Sequence, residues 1–354
     1  MTALLLVLAV GFAYSMGAHY TGACMGMPHA LGAISARRAL LIMAPLTLLG
    51  ATFASHGVEH TVGQGLLTGP GLSVVGLVIV VGVAFGLTTL FNRLRIPTST
   101  IQILVFSVIG AGLAANIGVQ WHHIAELGVI WVLAPPVAAG LGYLATKLLD
   151  LVPAVRVEAR LTGEHLAAAD STAPEPTDAA ASPHRPTATT PGAWLAASLV
   201  LVGAVASFTM GSNDVANATG PLVGTHTLGP LAAGLLGGLG LAAGVLTWGR
   251  PLLGRVAFDI VSVDRPMATA AQLVQATVVL CAVAFGFFTS MNQALVGAMA
   301  GTGLARGRQS VHTSTLLAIL RGWVIGPGAS IVLAFALTRL AVAATGGNYL
   351  LAAP

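Results

Sequence analysis

Long apolar runs follow one another along most of the chain, and short polar stretches separate them. Since a helix that spans a membrane needs about 20 mostly apolar residues, these runs predict an all-α polytopic membrane protein. Five segments lie in each half of the chain, and the first of each half is interrupted by small and polar residues. The predicted segments are 2–34 (interrupted), 38–55, 71–92, 97–115, 124–147, 192–226 (interrupted), 228–249, 268–288, 290–305 and 315–342.

The apolar pattern stops between residues 150 and 191, where prolines, alanines, hydroxyl residues and charges alternate. Such a composition cannot bury enough apolar surface to fold, so it predicts a flexible linker. The chain therefore divides into a first membrane unit over 1–149, a linker over 150–191 and a second membrane unit over 192–354.

Composition supports the membrane assignment. Only 7% of the 354 residues are charged and 56% are hydrophobic, whereas soluble domains carry about 25% charged residues. The net charge is +4, but the basic residues serve as topology signals here, and we expect a lipid bilayer rather than a nucleic acid as the partner.

The basic residues cluster between particular segments. If each segment crosses once, they fall on one side of the membrane, and only Arg339 falls on the other. Because positive charge marks the cytoplasmic side, we expect the linker in the cytoplasm, both termini outside and the protein in the cell membrane. Segments 97–115 and 290–305 are also compatible with re-entrant hairpins, which would change the number of crossings. The residues on the cytoplasmic side would be Arg37, Arg38, Arg93, Arg95, Lys147, Arg156, Arg160, Arg185, Arg250, Arg255, Arg265, Arg306, Arg308 and Arg321.

Three blocks of sequence recur in order in the two halves. Residues 98–114 align with 289–305 and share two hydroxyl residues, a glutamine and a Gly-x-Gly-Leu-Ala ending. Trp131-Val132 with Pro135 recurs as Trp323-Val324 with Pro327, and 17–26 is the counterpart of 211–220. An odd number of crossings per copy would invert the second copy, and inverted repeats with broken helices or re-entrant hairpins are typical of secondary transporters.

The stretch Gly211–Pro221 carries Asp214, the only carboxylate expected deep in a membrane segment. An acid at this depth costs about 2.5–3.5 kcal/mol on insertion scales and marks a functional site. The neighbouring glycines, Asn213, Asn217 and Pro221 are poor residues for a continuous helix. The stretch therefore predicts an ion site on a broken helix.

These motifs resemble the inorganic phosphate transporter family, which contains sodium- or proton-coupled permeases and a sulfate-permease branch. Gly-Ser-Asn-Asp-Val-Ala-Asn-Ala at 211–218 is similar to the family signature, while 97–100 and 289–307 are similar to its hairpin motifs. The resemblance implies that an oxyanion and a coupling cation bind where the signature stretches and the hairpin tips converge. The first copy departs from the signature because His19 and Tyr20 replace the Asn-Asp pair.

An oxyanion needs N–H and hydroxyl donors, and the N-terminus of a helix supplies N–H groups with a favourable dipole. The candidate anion ligands start the two hairpin segments, where ordinary helix capping is the alternative role. They are Thr98, Ser99, Thr100, Thr289 and Ser290.

Asn213, Asp214 and Asn217 offer hard oxygen ligands for a coupling cation such as sodium, completed by carbonyls that the helix break frees. His19 takes the place of a coupling residue in the first copy and is a candidate proton carrier. Tyr20, Gln102, Asn292 and Gln293 are candidates for the transport pathway. Two further clusters, His56-Glu59-His60 and His122-His123-Glu126, are expected in solvated loops, with metal binding as the alternative.

The sequence thus predicts a secondary active transporter that imports inorganic phosphate with sodium or a proton by alternating access. Sulfate is the alternative substrate, because sulfate carries no proton near neutral pH and only one deep acid is present to repel it. An intramembrane enzyme is a remoter alternative, since the helices hold no nucleophile–base pair or metal motif. A channel is remoter too, because broken inverted repeats favour alternating access. We expect no cofactor, and a homodimer is compatible with this interpretation.

Overall fold

The computed structural model describes residues 1–354 except 70, 95, 97, 158–189, 254–262, 308–312 and 346–354. The described chain is helical, and outside the helices only Leu67 and Val119 pair as an isolated β-bridge. We number the helices in chain order. They are α1 Thr2–His19, α2 Met27–Ala30, α3 Ala36–Phe53, α4 His56–Gln64, α5 Val74–Leu94, α6 Thr100–Ala114, α7 Trp121–Leu149, α8 Thr190–Gly224, α9 Pro230–Trp248, α10 Arg265–Ala284, α11 Met291–Arg306 and α12 Thr313–Thr345.

Eight helical stretches in the described residues are long and apolar enough to cross a membrane, counting Thr2–Ala30 as one. Two predicted segments are not among them, because α6 has 15 residues and α11 has 16. At a rise of 1.5 Å per residue these helices are about 23 Å long, which is shorter than a hydrocarbon core of about 30 Å. This length fits the re-entrant alternative for 97–115 and 290–305.

Helices of each half pack against helices of the other half, and these contacts are equivalent in the two halves; we call this arrangement the exchange. Helix α1 packs on α9, and its counterpart α8 packs on α3; likewise α7 packs on α11, and α12 packs on α6. Helices α5 and α10 lie beside the first helix of their own half, on α1 and α8 respectively. The exchange fits the predicted duplication, and the starts of α6 and α11 are buried.

Close approach at glycines repeats the same exchange. A Cβ on Gly17 would lie 2.0 Å from the carbonyl oxygen of Leu241, and a Cβ on Gly211 would lie 2.0 Å from that of Thr47. The two glycines are counterparts in the aligned blocks. Small residues let membrane helices approach closely, so the signature glycines hold each signature helix against a helix of the other half.

One prediction about the signature stretches is wrong. Helix α8 runs without interruption through Gly211–Pro221, because Pro221 lies near its C-terminal end and removes a single helical N–H donor. In the first half the predicted interruption is present as a π-helical turn at Gly22–Gly26 between α1 and α2. A site beside Asp214 therefore has few freed carbonyls from its own helix.

The ends of the short helices α6 and α11 meet basic side chains. The Lys147 ammonium donates to the carbonyl of Ala305 at 2.8 Å, and the Arg339 guanidinium donates to that of Ala114 at 3.4 Å. A cation at a helix C-terminus is favourable to the helix dipole. The two contacts are counterparts, so the lone basic residue predicted on the outer side has a structural role equivalent to that of Lys147. Most of the predicted linker, 158–189, lies outside the described residues.

Candidate functional site

The starts of α6 and α11 form the centre of the candidate site. Ser99 caps α6 by accepting a hydrogen bond from the backbone N–H of Gln102, and Ser290 caps α11 by accepting one from Gln293, each at 3.4 Å. The two tips touch, because the Asn292 amide donates to the carbonyl of Thr98 at 2.8 Å. The prediction that both hydroxyl clusters begin helices is confirmed, and both helix N-termini are buried at one place.

Each signature stretch holds the tip from its own half. The Asn213 side chain donates to the carbonyl of Thr289 at 2.9 Å and accepts from the N–H of the same residue at 3.3 Å. His19 lies at the counterpart position and places Nε2 at 3.2 Å from the carbonyl of Thr98. Residues that the sequence predicted as a group are therefore brought together, with equivalent contacts in the two halves.

The hydrogen bonds around His19 place a proton on Nδ1. The Asn92 amide donates to the backbone and hydroxyl oxygens of Ser15 at 2.8 and 3.1 Å, so its Oδ1 faces His19 Nδ1 at 2.5 Å and accepts from it. The Asn292 amide donates toward Nε2 at 3.1 Å. Nε2 can accept from Asn292 when it is unprotonated or donate to the Thr98 carbonyl when it is protonated, but not both. His19 thus resembles a rigid link, and its predicted role as a proton carrier stays a prediction.

Asp214 is fully buried among amides. Asn213 donates to one carboxylate oxygen at 3.1 Å, and Asn217 approaches the other at 3.5 Å. Within the described part of the chain no lysine, arginine or histidine forms an ion pair with this acid. A buried carboxylate needs a compensating charge or a proton, so the position suits a small cation or a proton.

Thr100 joins the carboxylate region to the hairpin tip. Its hydroxyl lies 2.9 Å from the Tyr20 hydroxyl and accepts from the Asn217 amide at 3.3 Å. Tyr20 also interacts with the Asp214 carboxyl. The anion candidates and the cation candidates are therefore neighbours in a single network.

Several predicted site residues keep a buried polar atom that has no hydrogen-bond partner within the described protein. Buried polar atoms are normally paired, and leaving one unpaired costs about 1–3 kcal/mol. Among these residues, Thr98 and Thr289 occupy counterpart positions in the aligned halves, and so do Gln102 and Gln293. The unpartnered atoms are the hydroxyls of Thr98 and Thr289 and the side-chain carbonyl oxygens of Gln102, Gln293, Asn217 and Asn292. This concentration at the meeting of two helix N-termini is typical of a polar ligand site.

Three residues near the site were missed by the sequence prediction. Asn92 orients His19, Gln275 donates to the carbonyl of Met291 at 3.4 Å, and Gln272 donates to the carbonyls of Ala23 and Cys24 in the π-helical turn. The available signal was a polar side chain inside an apolar helix, where such a residue is costly and marks function.

Glu59 corrects one expectation. It is buried, and its carboxyl lies 2.8 Å from the Thr219 hydroxyl on α8, so it is not in a solvated loop. Its neighbours His56 and His60 are exposed, as are His122 and His123 near Glu126. The described residues contain no cluster of three or more potential metal ligands of the His, Cys, Asp and Glu types.

A protein-family model described as the Phosphate transporter family matches residues 16–334. The chain belongs to this family. The match covers both signature stretches, both hairpin tips and the linker between the halves, so the resemblance noted from the motifs is confirmed. Transport, not enzyme catalysis, is the activity of this family.

Relatives of this family member carry both substrate names. A sulfate permease, CysP, of Bacillus subtilis is 25% identical over 93% of the chain and 85% of the relative. A putative phosphate permease of Pyrococcus horikoshii is 26% identical over 91% of the chain and 93% of the relative. A solved structure titled the sodium-dependent phosphate transporter matches with a TM-score of 0.79 at 22% identity, covering 96% of the chain and 99% of the solved chain. The all-helical membrane fold is thus shared over nearly the whole length.

Proposed function

We propose that this transporter imports inorganic phosphate together with a coupling cation by alternating access. The observation that carries the proposal is the set of unpartnered polar atoms where the capped starts of α6 and α11 meet beside buried Asp214. A ligand that both donates and accepts hydrogen bonds would satisfy hydroxyls and amide oxygens together. Protonated phosphate is such a ligand.

The anion would bind at the two helix N-termini. The hydroxyl oxygens of Ser99 and Ser290 accept backbone N–H groups, so their own protons remain available for an anion. The hydroxyls of Thr98, Thr289 and Thr100 add further donors. No arginine or lysine takes part in the described network of the site, so N–H groups, hydroxyls and helix dipoles would supply the attraction.

The coupling cation would bind beside Asp214, with Asn213 and Asn217 as additional ligands. Carboxylate and amide oxygens suit sodium, whereas the acid alone would serve for a proton. At the counterpart positions of the first half, His19, Tyr20 and Ala23 bring no carboxylate. We therefore propose a site that is asymmetric in its use of cations, with Gln102, Gln293, Asn292 and Tyr20 along the pathway.

Sulfate is the second candidate substrate. It carries no proton near neutral pH, so every nearby unneutralised carboxylate disfavours it. Here a bound cation would neutralise Asp214, and the similarity to a sulfate permease over 93% of the chain favours the same alternative.

Uptake of labelled phosphate into proteoliposomes under an inward sodium or proton gradient tests the proposal. We expect Asp214→Asn to abolish uptake, while Glu126→Gln, a change at a partly exposed residue of α7 that pairs with His122 and His123, leaves it intact. Undiminished uptake by Asp214→Asn would remove this acid from the mechanism. Labelled sulfate then decides the substrate: uptake of labelled sulfate that excess phosphate does not reduce, without uptake of labelled phosphate, would overturn the phosphate assignment.

The same proposal includes placement in the cell membrane with the linker 150–191 on the cytoplasmic side. A homodimer is compatible with it. Accessibility labelling of cysteines introduced into the linker of intact cells would report the side directly.

A further inference from the structure

Helix α4 presses a second acid against the helix that carries Asp214. The helix is short, His56–Gln64, and is not one of the eight candidate spans. It packs on α8 so closely that a Cβ on Gly220 would lie 2.7 Å from a methyl group of Val62. Glu59 points into this contact and is buried with no exposed area.

The hydrogen bonds around Thr219 depend on the charge of Glu59. The Thr219 hydroxyl lies 2.8 Å from Glu59 Oε1 and 3.0 Å from the carbonyl oxygen of Val215, one turn earlier in α8. A hydroxyl has one proton to donate. If Glu59 is ionised, both neighbours only accept, and one contact is left without a proton. If Glu59 is protonated, it donates to Thr219, which then donates to Val215, and both contacts become hydrogen bonds.

The second carboxyl oxygen supports the same assignment. Glu59 Oε2 is buried and has no hydrogen-bond partner among the described residues. An unpartnered oxygen is far more costly on a carboxylate than on a neutral acid. The unpartnered Oε2 therefore favours the protonated form, whereas the Thr219 hydroxyl has a hydrogen bond to Oε1 in both forms, as a donor to the carboxylate or as an acceptor from the acid.

We propose that Glu59 is a proton-binding site of this transporter and that its proton controls the contact between α4 and the Asp214-bearing segment of α8. This proposal rests on the proposed transport function. Loss of the proton would draw the Thr219 hydroxyl away from Val215, the residue that follows Asp214. The state of Glu59 is thereby linked to the candidate cation site through five residues of one helix.

The surroundings contain few other charges. On α8 the titratable residue is Asp214, and α9 has none; on α10 they are Arg265, at the opposite end from α4, and the exposed thiol of Cys281. On α4 itself, His56 and His60 flank Glu59. Burial raises the pKa of Glu59 from 4.5 to about 7, and the Thr219 and Ser55 hydroxyls oppose the rise. Its proton would thus exchange within the range of pH that a cell surface meets.

Infrared difference spectroscopy of the full-length protein in liposomes tests proton binding without requiring transport. In the Asp214→Asn background, which removes the buried acid of α8, we expect a carboxylic-acid C=O band that titrates near pH 7, disappears when Glu59→Gln is added and persists when Glu126→Gln is added. Thr219→Val should move the titration to higher pH, because the hydroxyl stabilises the ionised form. Absence of such a band, or its persistence when Glu59→Gln is added, would overturn the proposal.

The functional half of the proposal is read from uptake against external pH. Wild type should show a step in the initial rate centred near pH 7, Glu59→Gln should lose that step, and Thr219→Val should shift it upward. A step unchanged in Glu59→Gln would make Glu59 a structural acid. Failure of the proposed transport function would give a different result. The infrared band would still titrate, but the wild-type protein would take up neither phosphate nor sulfate.

Discussion

Gly211→Ala should separate the signature helix from its partner in the other half. The added Cβ would lie 2.0 Å from the carbonyl oxygen of Thr47, whereas ordinary contacts begin near 3.4 Å. The helices would have to separate by about 1.4 Å. Rotation of a side chain cannot relieve the clash, because the Thr47 oxygen belongs to the backbone and the Cβ is fixed to the backbone of residue 211. The same change at Gly17, against Leu241, should have a similar effect because the two contacts are counterparts.

The size of the effect follows from two opposing terms. Alanine is favoured over glycine in a helix by about 0.8–1 kcal/mol, and overpacking costs about 1–3 kcal/mol. The net loss of stability at Gly211 is therefore up to about 2 kcal/mol. Gly86→Ala is the matched control, since no atom lies within 4 Å of its Cβ position, and it should be neutral or stabilising.

Thermal melting of the purified protein, combined with phosphate uptake, measures both consequences. We expect Gly211→Ala and Gly17→Ala to melt below wild type by several degrees and to lose uptake, because the shift displaces Asp214 or His19 from the hairpin tips. A melting temperature for Gly211→Ala equal to that of Gly86→Ala would refute the close approach.

Two further outcomes are expected. Thr98→Val and Thr289→Val remove hydroxyls that have no partner within the described protein. Thermal stability should therefore hold or rise, while the KM for phosphate should rise severalfold. A fall in thermal stability with an unchanged KM would assign these hydroxyls a structural role. Because folding raises the pKa of Glu59 from 4.5 to about 7, the folded state binds more protons between these values, and the unfolding free energy should fall as the pH rises through this range. Melting curves at several pH values should show this fall in wild type and a weaker one in Glu59→Gln, and equal slopes would contradict it.

The fold and the starts of the two short helices could be predicted because their signals are local. Apolar runs define the spans, and the recurrence of 98–114 as 289–305 marks the hairpins as counterparts. Hydroxyl residues at the start of an apolar run predict a capped helix, and Ser99 and Ser290 cap α6 and α11 as expected.

The missed features depend on how distant segments pack against one another, and a local sequence pattern does not report that packing. Pro221 suggested a broken helix, but its position near the end of α8 makes it compatible with a continuous one. Asn92 and Gln272 looked like isolated polar residues. Asn92 supports His19 only because α5 packs on α1, and Gln272 supports the π-helical turn only because α10 lies against that turn.

Glu59 changes how the acid at Asp214 is understood. From the sequence, Asp214 was the sole deep carboxylate, and asymmetry between the halves followed from the loss of its counterpart to Tyr20. The structure supplies another buried acid from α4, bound to the same helix five residues beyond Asp214. The two acids differ in their neighbours: Asp214 is surrounded by amides that suit a cation, whereas Glu59 has a hydroxyl and one unpartnered oxygen, which suits a proton. This division allows sodium and proton dependence in one transporter. Uptake measured separately under a sodium gradient and under a proton gradient would show it: Asp214→Asn should lose uptake, whereas Glu59→Gln should lose only the pH dependence.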